Sequence, residues 1–191
     1  MELQHINVKL FVKKPKEVDL GPLIQIFQNW IQDPENGELL LDVADYRHVV
    51  AGPGVILIGH EGDYSVDNTD GRLGVRYNRK AALDGTNQDR LRQAMRAALI
   101  ACGRLEAEPS MGGRLRFNGQ EIEIFVNDRL LAPNSVETRD AIKADIQALA
   151  QQLFGGVEYA VSYDRDPRRL FTVSMRAAKP FSAADLFQRL S

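Results

Sequence analysis

Residues 54–78, GVILIGHEGDYSVDNTDGRLGVRYN, decide how the rest of the chain is read. The stretch divides into three short strands joined by two tight turns. Residues 55–58 form an almost unbroken apolar run, which suits a central strand covered on both faces. Residues 64–66 make the second strand and residues 73–77 the third. In the third, Leu73, Val75 and Tyr77 share one face, while Arg76 and Asn78 share the other. Asp70-Gly71 supplies the positive φ that the connecting turn requires.

Upstream, Ile6, Val8, Leu10 and Val12 alternate with Asn7, Lys9, Phe11 and Lys13, the period-two pattern of a half-buried strand. Asp19 is placed to cap a helix whose apolar stripe is Leu20, Leu23, Ile24, Phe27, Trp30 and Ile31. Residues 33–37 (DPENG) stop it, and residues 38–43 (ELLLDV) read as another strand. On this stripe Phe27 and Trp30 are packing residues rather than a base-stacking platform.

Downstream, Thr86 and Asp89 begin a second helix with the stripe Leu91, Met95, Ala98, Leu99, Cys102 and Leu105. Asn118-Gly119 predicts a hairpin between residues 114–117 and 121–126. A third helix opens at Pro133-Asn134-Ser135 and stops at Gly155-Gly156. Val157, Tyr159, Val161 and Tyr163 alternate as a strand, Phe171, Val173 and Met175 form its partner, and Ser182 with Asp185 caps a terminal helix. The expected fold is α+β: repeated strand-strand-helix units, a mainly antiparallel sheet, and about four helices on one face. The expected organisation is one domain over residues 1–191, the alternative being two similar lobes, 1–108 and 114–191, joined by a Pro/Gly linker at 109–113.

Composition narrows the function classes. The chain has 191 residues, 44% hydrophobic and 26% charged, ordinary values for a globular protein. With 24 basic and 26 acidic residues well mixed, it lacks the basic stripe of a nucleic-acid binder. No apolar run approaches the roughly 20 residues of a membrane span. The first residues alternate like a strand and do not follow a signal-peptide pattern. A single cysteine, Cys102, leaves no internal disulfide and suits a reducing, cytoplasmic setting.

Four groups carry potential chemistry. His60-Glu61-Gly62-Asp63 sets a histidine beside carboxylates, so His60 and Glu61 are the catalytic candidates, although no HxH or HxxxH metal spacing occurs. Asp67-Asn68-Thr69-Asp70-Gly71 resembles part of a calcium loop, but the twelfth position from Asp67 is Asn78, not glutamate, and turn chemistry explains the same residues. Arg76, Asn78, Arg79 and Lys80 precede the helix start at Thr86, a combination suited to an anion. Asp166-Pro167-Arg168-Arg169 offers two arginines that could grip a carboxylate or phosphate. Neither a phosphate-loop GxxxxGK[ST] nor a GxSxG nucleophile elbow is present, and no motif calls for a cofactor or metal.

Two readings of function follow. The first is a non-catalytic protein acting through partner binding or self-assembly, a homodimer formed at a free sheet edge being the economical form. The second is a ligand-binding protein or enzyme for a small anionic compound, held by Arg76, Asn78, Arg79, Lys80 and Thr86 while His60 or Glu61 exchanges protons.

Overall fold

In a computed structural model, which describes residues 1–32 and 37–190, the chain builds one sheet. In chain order the elements are β1 (Ile6–Val12), α1 (Leu23–Gln32), β2 (Leu40–Tyr46), β3 (Gly54–Gly59), β4 (Gly62–Asp67), β5 (Gly74–Arg79), α2 (Asn87–Ala107), β6 (Phe117–Val126), α3 (Val136–Phe154), β7 (Tyr159–Tyr163), β8 (Phe171–Ala177) and α4 (Ala183–Leu190). The eight strands among the described residues lie in the order β2-β3-β4-β5-β1-β6-β8-β7. Every neighbouring pair is antiparallel. The fold is α+β, as the pattern of elements predicts. The expected stop at residues 33–36 lies outside the described residues.

The sheet sorts its side chains by alternation. Val8 on β1 pairs with Tyr77, Tyr77 with Tyr64, and Tyr64 with Leu57, while Val8 pairs on its other side with Ile124, and Ile124 with Val173. All six are buried and form the face that the helices cover. α2 lies on β1 and β5, α1 on β2, α4 on β6, and α3 on β7. The stripe of α2 (Leu91, Met95, Ala98, Cys102, Leu105) is wholly buried, so each large-to-small change there costs about 2–5 kcal/mol. Phe27 and Trp30 are buried on α1, their ring centroids 5.4 Å apart.

Local capping chemistry sets the helix starts. The Thr86 side chain accepts from the Asp89 amide, and the Asp89 carboxylate accepts from the Thr86 amide and hydroxyl, a closed capping box. Ser135 caps α3, and Ser182 with Asp185 closes a second box ahead of α4.

Four expectations are revised. Asn118-Gly119 is not a hairpin turn, because residues 117–126 form one strand, β6. The extra residues make a bulge: Leu10 pairs with Ile122 but Phe11 with Asn118, and the Gly119 amide donates to Phe181 O just before α4. The strand-strand-helix pattern fails at the same place, since a single strand precedes α3 and four strands run together before α2. β1 is buried on both faces rather than one, because β5 and β6 flank it and other side chains close over its polar side. Conversely, β3 lies next to the edge strand, and Ile56 and Ile58 are only half-buried.

The start of β3 depends on Gly54. Its φ is +68°, and a Cβ there would sit 2.0 Å from Val66 O. Gly54→Ala therefore combines a disfavoured backbone with a clash, and should cost about 1–3 kcal/mol in a urea unfolding titration. An unchanged midpoint would show that β3 does not need this close approach to β4.

Candidate functional site

The face of the sheet opposite the helices carries polar side chains. One row runs across all eight strands: Ser162, Ser174, Glu123, Lys9, Arg76, Ser65, Ile56 and Ala44. Lys9 is at its centre. Alternation along β1 points Lys9 away from the helices, yet it is only 4% exposed. An ammonium so placed needs a counter-charge, since burying it alone would cost several kcal/mol.

Asp67, at the end of β4, supplies it. Lys9 Nζ lies 2.5 Å from Asp67 Oδ1. Asp67 is 1% exposed and also accepts from the Thr69 amide (3.0 Å) and hydroxyl (2.9 Å). Arg76 Nη1 stands 3.6 Å from Asp67 Oδ2, so two cations share one carboxylate. The Asp67–Gly71 turn is thus occupied by an internal ammonium. Among the described residues, no group of three or more His, Cys, Asp or Glu side chains is placed to hold one. Gly74 opens the route for the lysine, because a Cβ there would meet Lys9 Cε at 3.1 Å and Leu10 O at 2.4 Å.

Above this pair lies a hollow of about 270 Å³. Lys9, Asp67, Phe11 and Phe125 lie toward the sheet, and Arg72 and Arg76 stand over the rings. The Arg72 guanidinium is 3.6 Å from the Phe11 centroid, and that of Arg76 is 4.4 Å from the Phe125 centroid. Arg72 also donates to Glu121 and Glu123, at 2.8 and 2.9 Å. Burial raises the Glu123 carboxyl above its ordinary value, and Arg72 pulls it back. Burial likewise lowers the Arg76 guanidinium, with Asp67 opposing. The rim is made by Arg129 after β6 and by Arg168 and Arg169 between β7 and β8. Arg168 is paired with Asp166, and Arg169 reaches Asp70 and Asp164. Arg129 donates to Arg168 O and has no carboxylate partner among the described residues.

The hollow therefore brings together parts of three stretches singled out in the sequence: Arg76, the Asp67–Asp70 turn, and the Arg168-Arg169 pair. It leaves the rest elsewhere. Arg79 is three positions from Arg76 and so points to the opposite face, where Glu61 pairs with it at 2.7 Å. Lys80 is bound to Asp63 at 2.6 Å, and Asn78 is 3.5 Å from the same carboxylate. Thr86 is engaged in its capping box. His60 is exposed in the β3–β4 turn, where its amide donates to Leu39 O, and neither it nor Glu61 lines the hollow. Lys9, Phe11, Arg72, Glu123, Phe125 and Arg129 escape a reading of the sequence. The one local signal is a lysine in the middle of a strand that is apolar apart from Asn7.

Chemically, the lining combines cations, carboxylates and two aromatic rings. No histidine, cysteine or serine lines the hollow, and Asp67, Asp70 and Glu123 are each committed to a cation. No protein-family model, curated protein or solved structure matches this chain. No helix among the described residues is long and apolar enough to cross a membrane.

The sharing of Asp67 predicts an order of stabilities. Asp67→Asn leaves Lys9 and Arg76 without their common carboxylate and should cost about 3–5 kcal/mol. Lys9→Met should cost less, because Arg76 still faces Asp67. Chemical denaturation of the two variants checks this, and equal losses would mean that Arg76 takes no part in balancing the charge.

Proposed function

We propose that the chain is a non-catalytic binding protein for a small anionic compound, a carboxylate or a phosphate, held in the hollow on the open sheet face. One observation carries this reading: Lys9 and Arg76 share a single carboxylate at the floor, while Arg129 at the rim has none among the described residues. Within the lining, six cations stand against three carboxylates. Asp166, Asp164 and Glu121 balance that excess from outside the lining, so the attraction is local, where Lys9 and Arg76 face Asp67 alone. Arginine presents a planar fork suited to carboxylate and phosphate oxygens. The buried position of Cys102 under α2 fits a reducing, cytoplasmic setting for this role.

A second reading, self-assembly, is favoured by the exposed apolar side chains along one sheet edge. Leu39, Leu41, Tyr46, Val49 and Val50 cluster on β2 and its flanking residues, and Val50 is 94% exposed. Edge strands of two copies, related by a twofold axis, would cover the same residues on each other. Asp42 limits the contact, since its carboxylate already accepts from the outward-facing Val43 amide.

Ligand binding is tested by thermal unfolding with sodium phosphate or acetate against sodium chloride at equal ionic strength. A specific anion at 100 times its Kd should add about 2.7 kcal/mol of stability, and Arg76→Gln should abolish the increment. Absence of an increment, or one that survives in Arg76→Gln, would overturn the reading. Self-assembly is read by sedimentation velocity, with a concentration-dependent dimer expected and Leu41→Asp shifting it to monomer. A monomer at all concentrations would dismiss edge pairing.

A further inference from the structure

We propose that the anion taken by the hollow carries a flat, unsaturated ring: an aryl carboxylate or aryl phosphate rather than a free inorganic anion. The inference rests on the reading of the hollow as an anion site and adds the class of compound.

Size comes first. The hollow, open to solvent on one side, offers about 270 Å³, many times the roughly 10–15 Å³ that a single water needs in a cavity. Inorganic phosphate or acetate would fill a minor part and leave the rest to water. Most small-molecule sites instead bury the greater part of their ligand. A ring of benzene size attached to the anion accounts for the remaining space.

The chemistry of the walls comes second. Phe11, Phe125 and Leu170 are the large apolar side chains of the lining. The two rings are each covered by a guanidinium, Arg72 on Phe11 and Arg76 on Phe125. A guanidinium is planar, weakly hydrated and suited to stacking, and both of these side chains border the hollow. Its N–H groups point outward from the plane's edge, where an anion's oxygens can reach them. A ligand ring laid against Arg72 or Arg76 continues the stack while its carboxylate or phosphate meets the edge of Arg76, with Lys9 adding positive charge below. A saturated ring is too thick to gain the same contact. A neutral aryl compound lacks the charge that would meet Arg76, which shares Asp67 with Lys9, and Arg129.

Isothermal titration at fixed ionic strength tests this with acetate, inorganic phosphate, benzoate, phenyl phosphate, cyclohexanecarboxylate and benzamide. Benzoate should bind on the order of tenfold more tightly than acetate, and phenyl phosphate similarly against inorganic phosphate, from burial of the ring. Cyclohexanecarboxylate should be several-fold weaker than benzoate, and benzamide should lose binding. Arg72→Lys keeps the charge and removes the plane, so it should narrow the benzoate–cyclohexanecarboxylate gap. Phe125→Leu should narrow it as well, and amide chemical shifts around Lys9, Phe11 and Phe125 should move on benzoate addition. Equal affinity for acetate and benzoate would overturn the ring and leave the anion site standing. Benzamide binding as well as benzoate, or no binding by any of the six, would overturn both.

Discussion

The buried Lys9–Asp67 pair is the constraint on which the sheet's open face depends. A lysine in the central strand of an eight-stranded sheet cannot be buried without a counter-charge, and that charge must come from the right strand in the right register. Asp67 reaches it only because β4 ends level with Phe11, because Gly74 leaves the path open, and because the Thr69 turn fixes the carboxylate. A one-residue slip in β4 or β1 would send Asp67 or Lys9 to the apolar face. The pair thus adds little stability compared with an apolar substitute, and much specificity of register.

The same economy explains why the open face is not simply wet. Arg72 and Arg76 sit over Phe11 and Phe125, so long charged side chains shield two rings on the face opposite the helices. Glu121 and Glu123 hold Arg72 in place from β6, and Asp67 orients Arg76 from β4. The hollow is what remains between these stacks, closed at one side by the Arg169 link to Asp70 and Asp164.

Features with a local cause were legible in the sequence. The meander over residues 54–78 follows from alternation and turn residues, and the starts of α2, α3 and α4 follow from Thr86, Ser135 and Ser182. Asn118-Gly119 misled because its φ preferences serve a bulge as well as a hairpin, and the deciding contact, Gly119 N to Phe181 O, comes from far along the chain. Strand order was not legible at all, and the hollow is a product of strand order. Lys9 and Asp67 are 58 positions apart, and only the placement of β5 beside β1 brings them together. Arg76, Arg79 and Lys80 looked like one basic group because they are adjacent in sequence, yet alternation and the strand end send them three ways.

The position of β1 bears on how the molecule comes into being. β1 is the first strand of the chain but the fifth across the sheet, and one of its two neighbours, β6, is complete only at Val126. During synthesis it must wait, with Ile6, Val8, Leu10 and Val12 exposed, while slow non-local pairing is set up. An apolar strand left waiting is the kind of segment that pairs with other chains, and a charge at its middle discourages this. Lys9 would then serve the nascent chain as a guard before it serves the finished sheet as a floor.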